Sequence, residues 1–262
     1  MRAVMVGLGV VAVALGSGYV GAELGSQSQF NELCCQIESR SRRLVVSAKE
    51  RLGLAIFYAD NGQDKWVSEA VFPGVKNGFF LDVGSGDGTY ISATKALEQE
   101  GWTGLCIDPF PRNMQDRSCQ IFKEVVSSEA GQRVKFWKGQ DWGGIEDTLG
   151  IEAKAVIHEA PFVELSTVTL GDILERAKAP RFINFVSMDI EGGELNALKG
   201  FPFDEYRMGA LAVEHNYEEP KRSEIKELMK SHGYTRVHIW NHDDFYLPTD
   251  RALALHTPQR IR

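Results

Sequence analysis

The 262-residue chain is poor in cysteine and in positive charge. Its four cysteines are Cys34, Cys35, Cys106 and Cys119, and no C-x-x-C pair occurs. So few and so scattered, they exclude a disulfide scaffold and a thiolate zinc site. Cys106 is expected to be a small core residue within a strand. Lys and Arg number 29 against 36 Asp and Glu, a net charge of −7. Phosphate affinity comes mainly from clustered Lys and Arg, so this balance argues against a nucleic-acid partner. Internal repeats and low-complexity segments are absent too. The chain reads as an ordinary globular protein, long enough for one large core without staples.

Charge itself is missing from residues 3–22, AVMVGLGVVAVALGSGYVGA. Twenty uncharged, mostly apolar residues are enough to span a bilayer as a helix. The small-x-x-x-small spacing of Ala12/Gly16 and Ala14/Gly18 suits close helix approach in lipid. The expectation is an N-terminal membrane anchor over 1–22, with a cleaved signal sequence as the rival. Arg40, Arg42 and Arg43 follow the run and only Arg2 precedes it, which favours a cytoplasmic C-terminal side. Residues 23–62 read as an amphipathic linker or helix, 63–250 as the main domain and 251–262 as a tail.

From Phe79 onward, short apolar runs alternate with helical stretches. GFFLDV, GLCID, CQIFKEVVS, RFINFVSMDI and GALAVEH read as strands, with KFW and AVI as shorter ones. TYISATKALEQEG, VTLGDILERAKA, GGELNALKG and PKRSEIKELMKSHG read as helices, with Thr169 as an N-cap. YTRVHIW and DFYL form an antiparallel pair, with Asn241-His242-Asp243-Asp244 as the turn. Strands apolar throughout and interleaved with helices predict an α/β fold, a doubly wound, mostly parallel sheet with an antiparallel terminal strand.

The densest chemical signal is Asp82-Val83-Gly84-Ser85-Gly86-Asp87-Gly88, leaving a strand. Glycines there allow a tight turn and close ligand approach. A nicotinamide-binding turn would read G-x-G-x-x-G, and pyrophosphate would be repelled by Asp82 and Asp87. Acids beside the loop favour a cationic ligand, which points to S-adenosylmethionine. Asp108 ends the next strand, placed to accept both ribose hydroxyls. Asp189 and Glu191 follow the most hydrophobic strand. They suit a general base toward an acceptor hydroxyl, or a divalent cation. Glu194, at a helix start, reads as favoured by the dipole. His215 ends the next strand as a further candidate base. Trp137, Asp141, Trp142, Gly143, Gly144 and His158 fall in an insertion expected to cover the acceptor. The two tryptophans suit local packing of that insertion or stacking on a sugar.

The blocks FLDVGSGDGTYIS, GWTGLCIDPFPRN and VSMDIEGGELNALKGFPF resemble the FkbM-type methyltransferases, most of all in the D-x-E-G-x-E pattern of Asp189 to Glu194. Gln63-Asp64-Lys65-Trp66, Asn77 to Phe80 and Ala212 to Asn216 are similar to a branch that includes the animal membrane protein Star. The resemblance implies a Rossmann-like class I methyltransferase. Asp82, Gly84, Ser85, Gly86 and Gly88 would then cradle the methionine end of S-adenosylmethionine, and Asp108 its ribose. The stretch Glu124 to Ser127 would sit near adenine. Asp189, Glu191 and His215 would face the methyl group and a small-molecule or carbohydrate hydroxyl. Star-like members act as membrane adaptors, so a non-catalytic binding protein on the same fold is the alternative.

Overall fold

A computed structural model describes residues 10–15, 18–23, 56–157 and 159–256, with side chains for 56–157 and 159–252. It divides into two units, 1–56 and 57–262. In the first, Val10–Leu15 and Gly18–Glu23 pair as antiparallel strands. This departs from the expected spanning helix. Its β-branched valines at alternating positions fit a strand as readily as a lipid-facing helix. Among the described residues no helix is long and apolar enough to cross a membrane. The amphipathic segment up to residue 55, with Cys34 and Cys35, lies outside the described residues, as does His158.

The second unit is built on a seven-stranded sheet. Its strands are β1 (Phe79–Val83), β2 (Thr103–Ile107), β3 (Gln120–Phe122), β4 (Phe185–Met188), β5 (Leu211–Glu214), β6 (Tyr234–Trp240) and β7 (Asp243–Pro248), in the order β3-β2-β1-β4-β5-β7-β6. The neighbours from β3 to β5 run parallel, and β7 runs antiparallel to both β5 and β6. The strands are apolar on both faces because both faces are covered. Leu81 and Val83 of β1 join Leu105, Ile107, Val186 and Val213 in one buried layer, under Ile173, Leu198 and Met229 from three helices. Phe80, one position away, points into the opposite layer with Phe185, Ala212, Leu97 and Trp102.

A four-stranded sheet is inserted between β3 and β4. It is ordered Val125–Val126, Phe162–Val168, Arg133–Trp137, Gly144–Ile145 and has its own small core of Val125, Phe136 and Ile145. The segment CQIFKEVVS thus divides between the two sheets, with Gln120–Phe122 in one and Val125–Val126 in the other.

Other local expectations are corrected. AVI lies inside the helix Ile151–Ile157. The helix expected from Thr89 begins at Lys95, because Asp87 Oδ1 accepts from the Thr89 and Tyr90 amides and holds that stretch in a turn. RFINFVSMDI is interrupted at Asn184, whose Oδ1 accepts the Phe79 amide. Cys106 is not a free core thiol; it is joined to Cys119 by a disulfide. The Asn241-His242 turn is as expected, but Asp243 and Asp244 lie within β7 and are buried.

Candidate active site

β1 delivers the chain into Gly84–Gly88 at the carboxyl edge, beside the point where the sheet reverses direction between β1 and β4. Gly84 has φ +86°, and a Cβ there would stand 1.6 Å from the Asp189 carbonyl oxygen. Only glycine lets the loop press against the end of β4. The loop is laced to the end of β2. The Gly84 and Ser85 amides donate to the Ile107 carbonyl at 2.8 and 3.2 Å, and the Gly86 amide donates to Asp108 Oδ2 at 3.1 Å. Gly88 and Arg112 continue the lacing, the Gly88 amide donating to the Arg112 carbonyl at 2.8 Å.

A cleft of about 950 Å³, counting its part open to solvent, runs over this edge. Asp82, Gly84, Ser85, Gly86, Asp108, Asp189 and Glu191 all line it. So do Glu124, Val125 and Val126, with Phe136 and Ile145 from the inserted sheet. Gln63 and Asp141 line it too, as does Thr148, which no motif singled out. Gln63 is brought in by the segment before β1, and Asp141 by the insertion. Five expected residues are placed elsewhere. Gly88 packs beneath Met114 and Asn113. Ser127 is buried against Val168, its amide donating to that carbonyl. Trp137 and Trp142 pack around Leu149 and Ile157, the packing alternative of the two. His215 does not line the cleft, and its buried Nε2 has no hydrogen-bond partner. Its Nδ1 accepts the Tyr217 amide, and its Nε2 is 3.5 Å from Asp244, a carboxylate that Arg222 and Arg236 also hold.

The acids of the cleft differ in their surroundings. Burial pushes the Asp82 carboxyl up, opposed first by Arg117 and then by the Thr94 hydroxyl. Burial also raises Asp108, opposed by the Phe110 and Gly86 amides. Asp87 is the contrast. Burial would raise it, but hydrogen bonds from Tyr90, Asn113 and Thr89 outweigh that and hold it low. It is a brace for the loop.

Asp189 follows β4 and donates its amide to the Val83 carbonyl at 2.9 Å. Glu191 sits at φ +57° with its side chain almost wholly buried. Glu194 accepts the Ile190 and Gly192 amides, so it fixes the turn that presents Glu191. Glu214, at the end of β5, shares a hydrogen bond with Asp189. Burial, reinforced by the mutual repulsion of these acids, raises Glu191 and Glu214 well above the usual carboxylate range. Asp189 is raised as well, by desolvation at the strand end and by the neighbouring acids, against the hydrogen bond from Glu214, although its side chain opens to the cleft. Groups of this kind hold and release protons near neutrality.

S-adenosylmethionine fits the residues present. Among the described lining residues there is no Lys or Arg, so a pyrophosphate would find no countercharge while a sulfonium would find several acids. Ser85 Oγ is buried at the loop with no hydrogen-bond partner, an orphan that a polar ligand would satisfy.

No curated protein sequence matches the chain. Among solved structures, a Pyrococcus horikoshii protein described as a candidate RNA methyltransferase aligns at 12% identity with a TM-score of 0.33. The alignment covers 72% of this chain and 84% of that one. That likeness is too loose to carry an argument. The methyltransferase FkbM domain matches residues 82–236, more than half of the sequence and the whole span from the glycine loop to β6. The chain belongs to the FkbM methyltransferase family.

Proposed function

We propose that this methyltransferase acts on a hydroxyl of a small molecule or sugar, with S-adenosylmethionine as methyl donor. The observation that carries the reading is the group of proton-holding carboxyls, Asp189, Glu191 and Glu214, at one end of an otherwise cation-favouring cleft. When bound, S-adenosylmethionine supplies a methyl group activated on a positive sulfur. Gly84, Ser85 and Gly86 let the amino-acid end approach the backbone closely, and the unpartnered Ser85 hydroxyl bonds it. Asp82, already tied to Arg117 and Thr94, contributes its field. Asp108 accepts the ribose hydroxyls, and Pro109, Val125 and Phe136 form an apolar slot for the base. Glu191 orients the acceptor hydroxyl, and Asp189, open to the cleft, takes up its proton as the methyl passes from sulfur to oxygen. Fixed orientation supplies much of the rate in a transfer of this kind. The inserted sheet narrows the cleft and limits water.

Calorimetry with S-adenosylmethionine tests the first half. Binding is expected, and Asp108→Ala weakens it about tenfold or more, the loss of two hydrogen bonds to a charged acceptor. Incubation of cell extracts with methyl-labelled donor, read by mass spectrometry, tests the second half and yields the acceptor. A folded chain that binds no S-adenosylmethionine overturns the reading and leaves the adaptor alternative.

A further inference from the structure

The ends of β4 and β5 bring three carboxylates together with no protein cation among them. Oxygens of Asp189, Glu191 and Glu214 all lie within 4.8 Å of one another. Glu191 is only 7% exposed, yet its Oε2 lines this cluster without a hydrogen-bond partner. Glu214 Oε2 is likewise buried and unpartnered. The surrounding cations are committed elsewhere. Lys221 pairs with Glu218, Arg112 with Asp141, and Arg222 and Arg236 with Asp244. Asp189 opens to the cleft and Glu214 is half-buried, but the buried oxygens of Glu191 and Glu214 have no countercharge and must keep a proton or take up a cation.

We propose that Asp189, Glu191 and Glu214 bind one divalent, oxygen-preferring cation of the Mg2+ or Mn2+ kind. The donor set is all oxygen, with no Cys or His, which selects hard cations over zinc or copper. Around Mg2+ ligand oxygens stand about 4.1 Å apart when opposite and about 2.9 Å when adjacent, so the cluster closes around the ion with side-chain shifts of about 1–2 Å. Three protein ligands leave coordination positions open toward the cleft. Two adjacent hydroxyls of an acceptor fill such positions; coordination lowers the pKa of the oxygen that reacts, its proton leaves through the unbound oxygen of Asp189, and the O–CH3 bond forms as the donor's S–CH3 bond breaks. The acceptor class is thus a vicinal diol. That use of the site rests on the transferase reading above; the cation site itself stands on the cluster.

The probe is Mn2+ added to the full chain without S-adenosylmethionine, followed by electron paramagnetic resonance and by calorimetry. One Mn2+ per chain is expected, displaceable by Mg2+, binding more tightly as pH rises because it displaces protons. Glu191→Gln and Glu214→Gln each weaken Mn2+ by about tenfold or more while melting remains cooperative. Absence of Mn2+ binding at millimolar concentration overturns the proposal. So does binding that survives unchanged in both variants, or in Asp189→Asn if either glutamine variant fails to fold. A chain that binds S-adenosylmethionine but no Mn2+ rejects the metal site and keeps the transferase. A chain that binds Mn2+ but no S-adenosylmethionine keeps the metal site and rejects the donor assignment.

Discussion

Asp64 is wholly buried, and its carboxylate accepts the Tyr58, Ala59 and Lys65 amides. Burial nevertheless outweighs those bonds and pushes its pKa up to about 6. An acid raised in the folded state binds its proton there longer than in the unfolded chain. Its contribution therefore favours folding at low pH and is lost as pH rises from the ordinary carboxylate value to about 6. Asp64→Asn abolishes that dependence. Its stability relative to the parent should rise across this window by about 1–3 kcal/mol and then level off, which melting at several pH values checks. Gly84→Ala should act differently. A methyl group 1.6 Å from the Asp189 carbonyl, at positive φ, forces the loop off β4. A loss of about 3 kcal/mol or more, with S-adenosylmethionine binding abolished, is expected. At this scale the site was partly legible. Asp82, Gly84, Asp108, Asp189 and Glu191 each sit in a local pattern that announces a strand end or a tight turn. Glu214 ends a strand and Gln63 opens a resembling block, yet nothing local gives either a role, because only the neighbouring of β4 with β5, and the segment before β1, brings them to the site. His215 misled because its position at a strand end is right, while its ring is claimed by Asp244.

Elements were easier to foresee where a local device marks them. Thr169 caps the helix Leu170–Arg176 in a reciprocal capping box with Asp172. Thr169→Ala should cost about 1 kcal/mol, seen as a shift in denaturant midpoint at unchanged slope. Gly233, at φ +80°, ends the helix Lys221–Ser231 as its position suggests. Elements were misjudged where a side chain far along the sequence intervenes. Asn184 spends its amide oxygen on Phe79, so one apolar run becomes two strands. Asp87 holds the chain after the glycine loop in a turn, so the next helix starts late. In the charge-free segment near the N-terminus, valine-rich alternation carried a strand pattern beneath an apolar composition.

At the scale of the molecule, the alternation of strands and helices foretold the parallel sheet, but not the strand order or the second sheet. The Cys106–Cys119 disulfide was missed because two cysteines 13 residues apart say nothing of distance until β2 and the start of β3 are laid side by side. It closes the loop that carries Asp108. By loop-closure entropy, reduction or Cys119→Ser should cost about 3 kcal/mol, read as a lower melting temperature with dithiothreitol. A melt indifferent to reductant, with free thiols titrated in the native protein, would refute the bridge.

The inserted sheet leaves the main fold at Val126 and returns at Val168, and those two residues are register partners on adjacent strands. Departure and return at one doorway make residues 127–167 a cassette. Exchanged between relatives, it would carry Asp141 and the Phe136 wall with it, and leave Gly84, Asp108 and Asp189 untouched. Such an exchange would change one wall of the cleft, Phe136 and Asp141, while the glycine loop and the ends of β2 and β4 stay as they are.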